Sequence, residues 1–337
     1  MNEILFHVQG LTKHFLNGRN TVQALNDVSL DIVQGETLSL VGESGCGKTS
    51  FARTLLGVYE PTAGSVLWKG KDVKNLTASE RTDFRRRNQM IFQDPYASLD
   101  PRMTAAEIIE EGRKRHFRES AAERRAKVEQ LLETVGLTGD FASRFPHELS
   151  GGQRQRIGIA RALAMEPEFL ACDEPIAALD VSIQAQIINL LMNLQRERGL
   201  TYLVISHDLT MVRHISDRVA VLYLGSVLEF ADTEELYANP LHPYTLALFS
   251  AIPEADPASS WLERRIQLTG EVPDPAHVPD GCKFAPRCPY ASEHCFLEAP
   301  PFASCGKGHV TACWRILNTE SNITCNSSRC QIFSELL

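Results

Sequence analysis

Thr37-Leu38-Ser39-Leu40-Val41-Gly42-Glu43-Ser44-Gly45-Cys46-Gly47-Lys48-Thr49-Ser50 is the stretch that decides the fold. An apolar run enters G-x-x-x-x-G-K-T, and a helix-compatible segment, Ser50 to Leu56, leaves it. Strand, loop and helix in that order form the setting that a phosphate-binding P-loop requires. The glycines let the backbone curl so that successive N–H groups face phosphate oxygens. The helix N-terminus adds positive partial charge. Lys48 can reach the β- and γ-phosphates, and Thr49 can place its hydroxyl on Mg²⁺. A glycine-rich turn by itself would be only a turn. The flanking strand and helix make this one a nucleotide site.

Outward from the loop, strand-like and helix-like segments alternate. Ile4 to Val8 and Val28 to Ile32 alternate as half-buried strands, Ser65 to Trp68 precedes a turn at Gly70, and Met90-Ile91-Phe92 is a short buried strand ending at Gln93. Ala121 to Val135 puts Val128, Leu131, Leu132 and Val135 on one helical stripe, with Gly136 as its C-terminal cap. Phe169 to Cys172 and Thr201 to Ile205 read as buried strands with a helix, Val181 to Gln195, between them. Val219 to Tyr223 and Val227 to Phe230 read as a closing hairpin around Gly225. This order implies an α/β fold with a parallel sheet and a site at the strand C-termini.

Polar residues stand where such a site needs them. Asp173 ends a buried strand, as a Mg²⁺-orienting carboxylate should. Glu174 beside it could orient a water, or accept its proton, for attack on a γ-phosphate. Leu149-Ser150-Gly151-Gly152-Gln153 opens a helix running to Leu163, with Ser150 as N-cap and two glycines that admit a ligand to an anion-favouring helix end. The bland reading of that segment is a glycine-rich helix start.

Composition narrows the class. The chain has 337 residues, 43% hydrophobic, and a net charge of −8. That length allows a large domain with an appendage, or two domains. The acidity argues against nucleic acid as a partner. The basic run from Arg81 to Arg87 is a local exception, better read as a solvated helix face. No stretch approaches the ~20 apolar residues of a membrane span. No signal peptide is visible at the N-terminus, so the chain is expected in the cytosol, with any membrane association made through a partner.

With these motifs on one chain, in this order, residues 4–235 resemble the ATP-binding subunit of an ABC transporter. The resemblance makes Gly42 to Thr49 the P-loop, Gln93 the glutamine loop, Leu149 to Gln153 the signature motif, and Asp173 and Glu174 the Walker B pair. Ala178-Leu179-Asp180 resembles the D-loop, His207 the switch histidine, and Phe15 the aromatic that stacks on adenine. The implied fold is a P-loop NTPase, a RecA-like core with an antiparallel β subdomain and a helical signature subdomain over about 95–165. Residues 1–238 would form this nucleotide-binding domain. ATP would contact Phe15, Gly42, Glu43, Ser44, Gly45, Cys46, Gly47, Lys48, Thr49, Ser50, Gln93, Ser150, Gly151, Gly152, Gln153, Asp173 and Asp180. Thr49, Gln93 and Asp173 would serve Mg²⁺, while Lys48, Glu174 and His207 would carry catalysis. Two cassettes would pack head to tail, each signature facing the other's P-loop across ATP.

The segment Asp94 to Thr104 and the extension beginning Asn239-Pro240-Leu241-His242-Pro243-Tyr244-Thr245 are similar to those of bacterial dipeptide and oligopeptide importer ATPases. The extension, residues 239–317, is rich in proline and then in cysteine. The likeness implies a subunit peripheral to the cytoplasmic face of the inner membrane. Its partners would be two multi-span permeases, a sister or identical ATPase and, indirectly, an extracytoplasmic binding protein. Nickel and other solute importers share these traits. A soluble ABC ATPase acting on DNA or the ribosome, or a P-loop kinase, fits less well: neither a second cassette nor a coiled-coil insertion is visible, and a kinase would not carry the signature motif.

Seven of the nine cysteines fall in the last part of the chain, a pattern that suits metal binding over disulfides in a cytosolic protein. The absence of C-x-x-C argues against a zinc knuckle. Four thiolates suit a [4Fe–4S] cluster. The extension is similar to ones that hold such a cluster, and the resemblance implies Cys282, Cys288, Cys295 and Cys313 as its ligands, with Cys305 able to substitute. Reduced cysteines in a loop-rich tail are the alternative. Cys325, Cys330 and the tail 318–337 receive no role. Cys46 is read as a small loop residue whose thiol could make ATP binding oxidation-sensitive.

Overall fold

The computed structural model describes residues 3–18, 20–177, 179–253, 265–306 and 308–319. Ala178 of the expected D-loop, Cys325 and Cys330, and the tail beyond 319 lie outside them. The first elements are β1 (Ile4–Asn17), β2 (Asn20–Val33), β3 (Thr37–Val41), α1 (Lys48–Leu55), β4 (Ala63–Trp68), β5 (Lys71–Asp72), α2 (Ala78–Arg87) and β6 (Asn88–Ile91). There follow α3 (Ala105–His116), α4 (Ala121–Thr134), α5 (Gly151–Leu163), β7 (Phe169–Asp173), α6 (Val181–Arg198) and β8 (Thr201–Ser206). The last are α7 (Leu209–Ile215), β9 (Arg218–Tyr223), β10 (Ser226–Asp232), α8 (Thr233–Ala238), α9 (Pro243–Ser250), α10 (Glu293–Leu297), β11 (Ala303–Ser304), β12 (Val310–Thr311) and α11 (Trp314–Thr319). Among the described residues no helix is long and apolar enough to cross a membrane.

The chain forms two compact units. One gathers the residues up to Val33, Thr37–Asn75 and those from Ser206 on; the other holds Gln34–Glu36 and Leu76–Ile205. In the first, β2-β1-β4-β5 make an antiparallel sheet. β1 and β2 are far longer than the short alternating runs suggested, because register shifts between Val8 and His14 break the alternation while the pairing continues to Asn17↔Asn20. In the same unit β3 runs parallel to β9, with Leu40 opposite Ala220. β10 returns antiparallel to β9. The extension then adds β12 to β10, Val310 opposite Phe230, and β11 to β12. It is thus sewn to the strand system that carries the phosphate loop. Leu38, Leu40, Val41, Val219, Ala220 and Val221 are fully buried there, the expected state for strands covered on both faces.

In the second unit β6, β7 and β8 pair in parallel, Ile91 opposite Cys172 and Cys172 opposite Val204. Helices α3, α4 and α5 each start with a capping box: Thr104 with Glu107, Ser120 with Glu123, Ser150 with Gln153. Arg113, 2% exposed, ties them together by donating to the Ala164 carbonyl at 2.6 Å and pairing with Glu119 and Glu166. The basic run lies in α2, where Arg86 and Arg87 pair with Asp83 at 3.1 and 2.8 Å. β6 ends at Ile91, one residue before the expected strand does. Phe92 leaves the sheet, 39% exposed, with the Arg161 guanidinium 5.6 Å from its ring centroid.

Candidate nucleotide site

The first unit holds the expected phosphate loop. β3 delivers the chain to Gly42, and α1 begins at Lys48. Gly42 has φ 151°, and a Cβ there would lie 2.1 Å from the Leu222 carbonyl oxygen. Gly47, at φ 108°, would put one 2.2 Å from that of Ala24. Neither position accepts a side chain, so the turn can only be built from glycine. Gly225 of the β9–β10 hairpin donates its N–H to the Cys46 carbonyl at 2.8 Å. Lys48, 6% exposed, donates from Nζ to the Gly42 carbonyl at 2.7 Å and the Glu43 carbonyl at 2.9 Å. Ser44 and Gly45 form the exposed tip, and Thr49 and Ser50 occupy the first turn of α1. The Cys46 thiol is 3% exposed, and burial pushes its pKa up despite the nearby Lys48. A thiol held protonated in this way is a weak nucleophile.

Phe15, at the far end of β1, stands edge-on to Tyr59 with centroids 5.1 Å apart. Arg53 of α1 donates to the Tyr59 hydroxyl at 2.9 Å, so the aromatic is braced by the helix that follows the loop. Lys13 Nζ lies 4.8 Å from the Phe15 centroid. His207 is exposed where β8 ends, directly before Asp208, whose side chain accepts the Met211 N–H at 3.0 Å and caps α7.

The second unit holds the other motif residues. Every residue of β7 is buried, and Asp173 at its end is 2% exposed. Glu174 follows at φ 44°, a left-handed conformation rare for a side chain of its size and worth about 1–3 kcal/mol of strain. Its N–H donates to Ile205 O at 2.9 Å, which fixes the turn. Gln93 donates from Nε2 to Glu174 Oε2 at 2.7 Å, so two of the expected groups meet. Ser150 Oγ accepts the Gln153 N–H at 3.3 Å, and Gln153 Oε1 accepts the Ser150 N–H at 2.9 Å. Gly152 is buried against α6, where a Cβ would meet Ile183 Cγ2 at 2.6 Å. Asp180 is exposed at the start of α6 and makes no side-chain cap bond.

The extension supplies residues that sequence reasoning missed. Tyr244 of α9 accepts the Glu43 N–H on its hydroxyl at 2.9 Å. Arg287 grips the Glu43 carboxylate with both terminal nitrogens, at 2.6 and 3.1 Å. Glu43 and Arg287 are 244 positions apart, and no periodicity carries a pairing at that range. Cys282, Cys288, Cys295 and Cys313 line one cavity with His242, Tyr290 and Trp314, whereas Cys305 is not among its walls. Burial pushes the Cys282 thiol up to about 11 and raises Cys288 and Cys313 as well, with neighbouring cysteines adding to the shifts. Among the described residues no three His, Cys, Asp or Glu side chains stand as the ligand set of a single metal ion.

Comparison with known proteins bears on both parts of the chain. A family model described as "ABC transporter" matches residues 25–177, and one described as "Oligopeptide/dipeptide transporter, C-terminal region" matches residues 228–295. The putative oligopeptide transport ATP-binding protein YkfD of Bacillus subtilis is 51% identical over 94% of this chain and 97% of its own. The oligopeptide transport ATP-binding protein AppF of the same organism is 53% identical over 87% of this chain and 89% of its own. A putative peptide import ATP-binding protein of Brucella ovis is 52% identical over 92% of this chain and 98% of its own. Among solved structures, the dimeric bacterial ABC transporter cassette MJ0796 aligns with a TM-score of 0.63 and 33% identity, covering 68% of this chain and 98% of that one. The same cassette in a dimeric post-hydrolysis state bound to ADP and Pi gives the same TM-score of 0.63.

Proposed function

The chain belongs to the ABC transporter ATPase family, and from that premise we propose that it is the subunit that binds and hydrolyses ATP to drive peptide import across the cytoplasmic membrane. The observation that carries this reading is the union, on one chain, of a lysine-closed phosphate loop and an extension of the oligopeptide/dipeptide type sewn to the same strand system.

The residues have separate tasks. Lys48 and the loop amides bind the β- and γ-phosphates, and Phe15 stacks on the base. Thr49, Gln93 and Asp173 would serve Mg²⁺, which would neutralise charge on the phosphates. Glu174 orients a water and takes its proton as the water oxygen bonds to the γ-phosphorus. The bond from that phosphorus to the bridging oxygen breaks, leaving ADP and phosphate. The Gln93 amide at 2.7 Å holds the Glu174 carboxylate in place between turnovers. His207 senses the γ-phosphate. Ser150, Gly151, Gly152 and Gln153, with Asp180, complete the site of a second cassette, which favours the ATP-bound closed dimer. The segment from Gln93 to Met103, with Tyr96 57% exposed, meets the cytoplasmic helices of two permease subunits, and the subunit sits at the membrane through them.

Cys282, Cys288, Cys295 and Cys313 would hold a [4Fe–4S] cluster. Their shared cavity supports this, as does the chemistry of four thiols. A cluster spreads its ligands over several irons, so the lack of a single-ion ligand set is compatible with it. The cluster would supply structural or redox-sensing chemistry remote from hydrolysis. Binding it would require the raised thiols to give up their protons.

The test is ATPase activity of the reconstituted importer with its binding protein. Stimulation by the peptide-loaded binding protein is expected. Stimulation by a nickel-loaded one instead would remove the peptide assignment and leave the ATPase.

A further inference from the structure

We propose that Arg287 of the extension is a positioning residue for nucleotide binding, acting on the phosphate loop through Glu43. The inference rests on Gly42–Thr49 being the ATP site, and its test separates the two readings.

Glu43 is the second residue of the loop, and each of its polar groups has a specific partner. Its carbonyl accepts Lys48 Nζ at 2.9 Å. Its N–H donates to the Tyr244 hydroxyl at 2.9 Å. Its carboxylate takes the two-pronged Arg287 guanidinium. The phosphate-binding lysine and the extension therefore grip one residue, the lysine by its carbonyl and the extension by its amide and side chain.

A carboxylate here needs an explanation. The loop exists to hold a polyanion, and a negative side chain within it repels that ligand. The Arg287 side chain is 8% exposed and that of Glu43 28%, so solvent screens the carboxylate only in part. The guanidinium supplies the compensating charge, and the bidentate fork fixes its direction. Aromatic rings hold the arginine in turn. Its guanidinium lies 5.9 Å from the Tyr223 centroid, and Tyr223, Tyr244 and Phe284 stand with centroids 4.7–5.4 Å apart. Tyr244 and Phe284 are fully buried. Arg287 closes a short helical turn, Ala285–Arg287, between Cys282 and Cys288 of the thiol-lined cavity. Loop charge and loop shape are thereby set from the extension.

Binding of a fluorescent ATP analogue to the purified full chain tests this, with Mg²⁺ fixed and folding checked by thermal melting. The variants are Arg287→Met, Glu43→Gln, the double substitution, and Lys48→Ala as the reference for the site itself. Arg287→Met should weaken binding on the order of tenfold, the effect of one uncompensated charge at short range. In the Glu43→Gln background the same substitution should weaken binding by no more than about threefold, the guanidinium's own screened attraction for the phosphates, because no carboxylate remains for it to hold. A merely structural Arg287 would weaken binding in both backgrounds alike, and that result overturns the proposal. So does wild-type affinity in Arg287→Met. Should Arg287→Met fail to fold, Glu43→Gln is compared with the double substitution, which leaves no unpaired charge. A tenfold gap between those two is then the overturning result. Unchanged binding in Lys48→Ala would refute the ATP-site reading instead.

Discussion

The two halves of the nucleotide machinery differ in how far this chain finishes them. In the first unit the loop is tied on both sides of its exposed tip, Ser44 and Gly45. Lys48 is bound to two of its carbonyls, Gly225 to a third, and Tyr244 and Arg287 to Glu43. In the second unit Asp173 and Gly152 are buried, but several motif groups are presented to solvent. Gln93, Ser150 and Asp180 are exposed, and Glu174 sits on strained backbone at a strand end. A finished loop can bind its ligand alone. Exposed groups at helix starts need a second surface to act on, as an isologous dimer supplies. The contrast therefore predicts which measurement each substitution moves. The first half should govern binding by the isolated chain, and the second should govern turnover.

The largest effect is expected at Glu174. Glu174→Gln keeps the shape and loses the base, so turnover should fall at least ~100-fold. Phosphate release measures that loss, and nucleotide titration of the isolated chain should stay within about twofold. A parallel loss of affinity would break the contrast. Lys48→Ala is the opposite case. Removing a charged donor to phosphate should weaken binding roughly 10- to 150-fold, before turnover is considered. Equal affinity with slower turnover would move Lys48 out of the binding half.

A smaller effect sharpens the claim that the loop is finished from outside itself. Tyr244→Phe removes the acceptor for the Glu43 N–H while keeping the ring against Tyr223, at 4.7 Å, and Phe284, at 5.3 Å. An amide left without its partner costs about 1–3 kcal/mol of stability, and denaturant unfolding reads it. No change in stability would mean that Tyr244 touches the loop without holding it.

How much of this could be read in the sequence follows from the range of each interaction. The strand–loop–helix at Thr37–Leu55 and the buried strand ending at Asp173 are local patterns, and the structure reproduces both. The helix over residues 121–135 was legible because one apolar stripe, Val128, Leu131 and Leu132, forms its buried face. The full lengths of β1 and β2 were not legible, since register shifts interrupt their alternation. Phe92 reads as strand because it is apolar, yet it lies outside β6, and its ring meets the Arg161 guanidinium at 5.6 Å, a contact from far along the chain that no local pattern carries. The Arg287 grip on Glu43 was invisible for the same reason. A salt bridge between remote segments leaves no period, and neither residue looks unusual where it stands.

The smallest effect lies at Ser150, where two roles coincide and can be separated. Its hydroxyl accepts the Gln153 N–H and so caps α5, and it is also exposed where the partner's phosphate is expected. Ser150→Ala removes the cap and should cost about 1 kcal/mol of stability. Ser150→Asp caps as well as serine does, so stability should return. It also sets a negative charge where an anion has to approach, so ATPase activity should remain low. Nucleotide binding by the isolated chain should be the same in both, because that half is complete without this residue. If aspartate restores turnover along with stability, Ser150 is a cap and nothing more, and the presented half loses its first phosphate contact. If aspartate restores stability alone, the hydroxyl acts across the dimer, and the exposure of these groups in the single chain is the form their function takes.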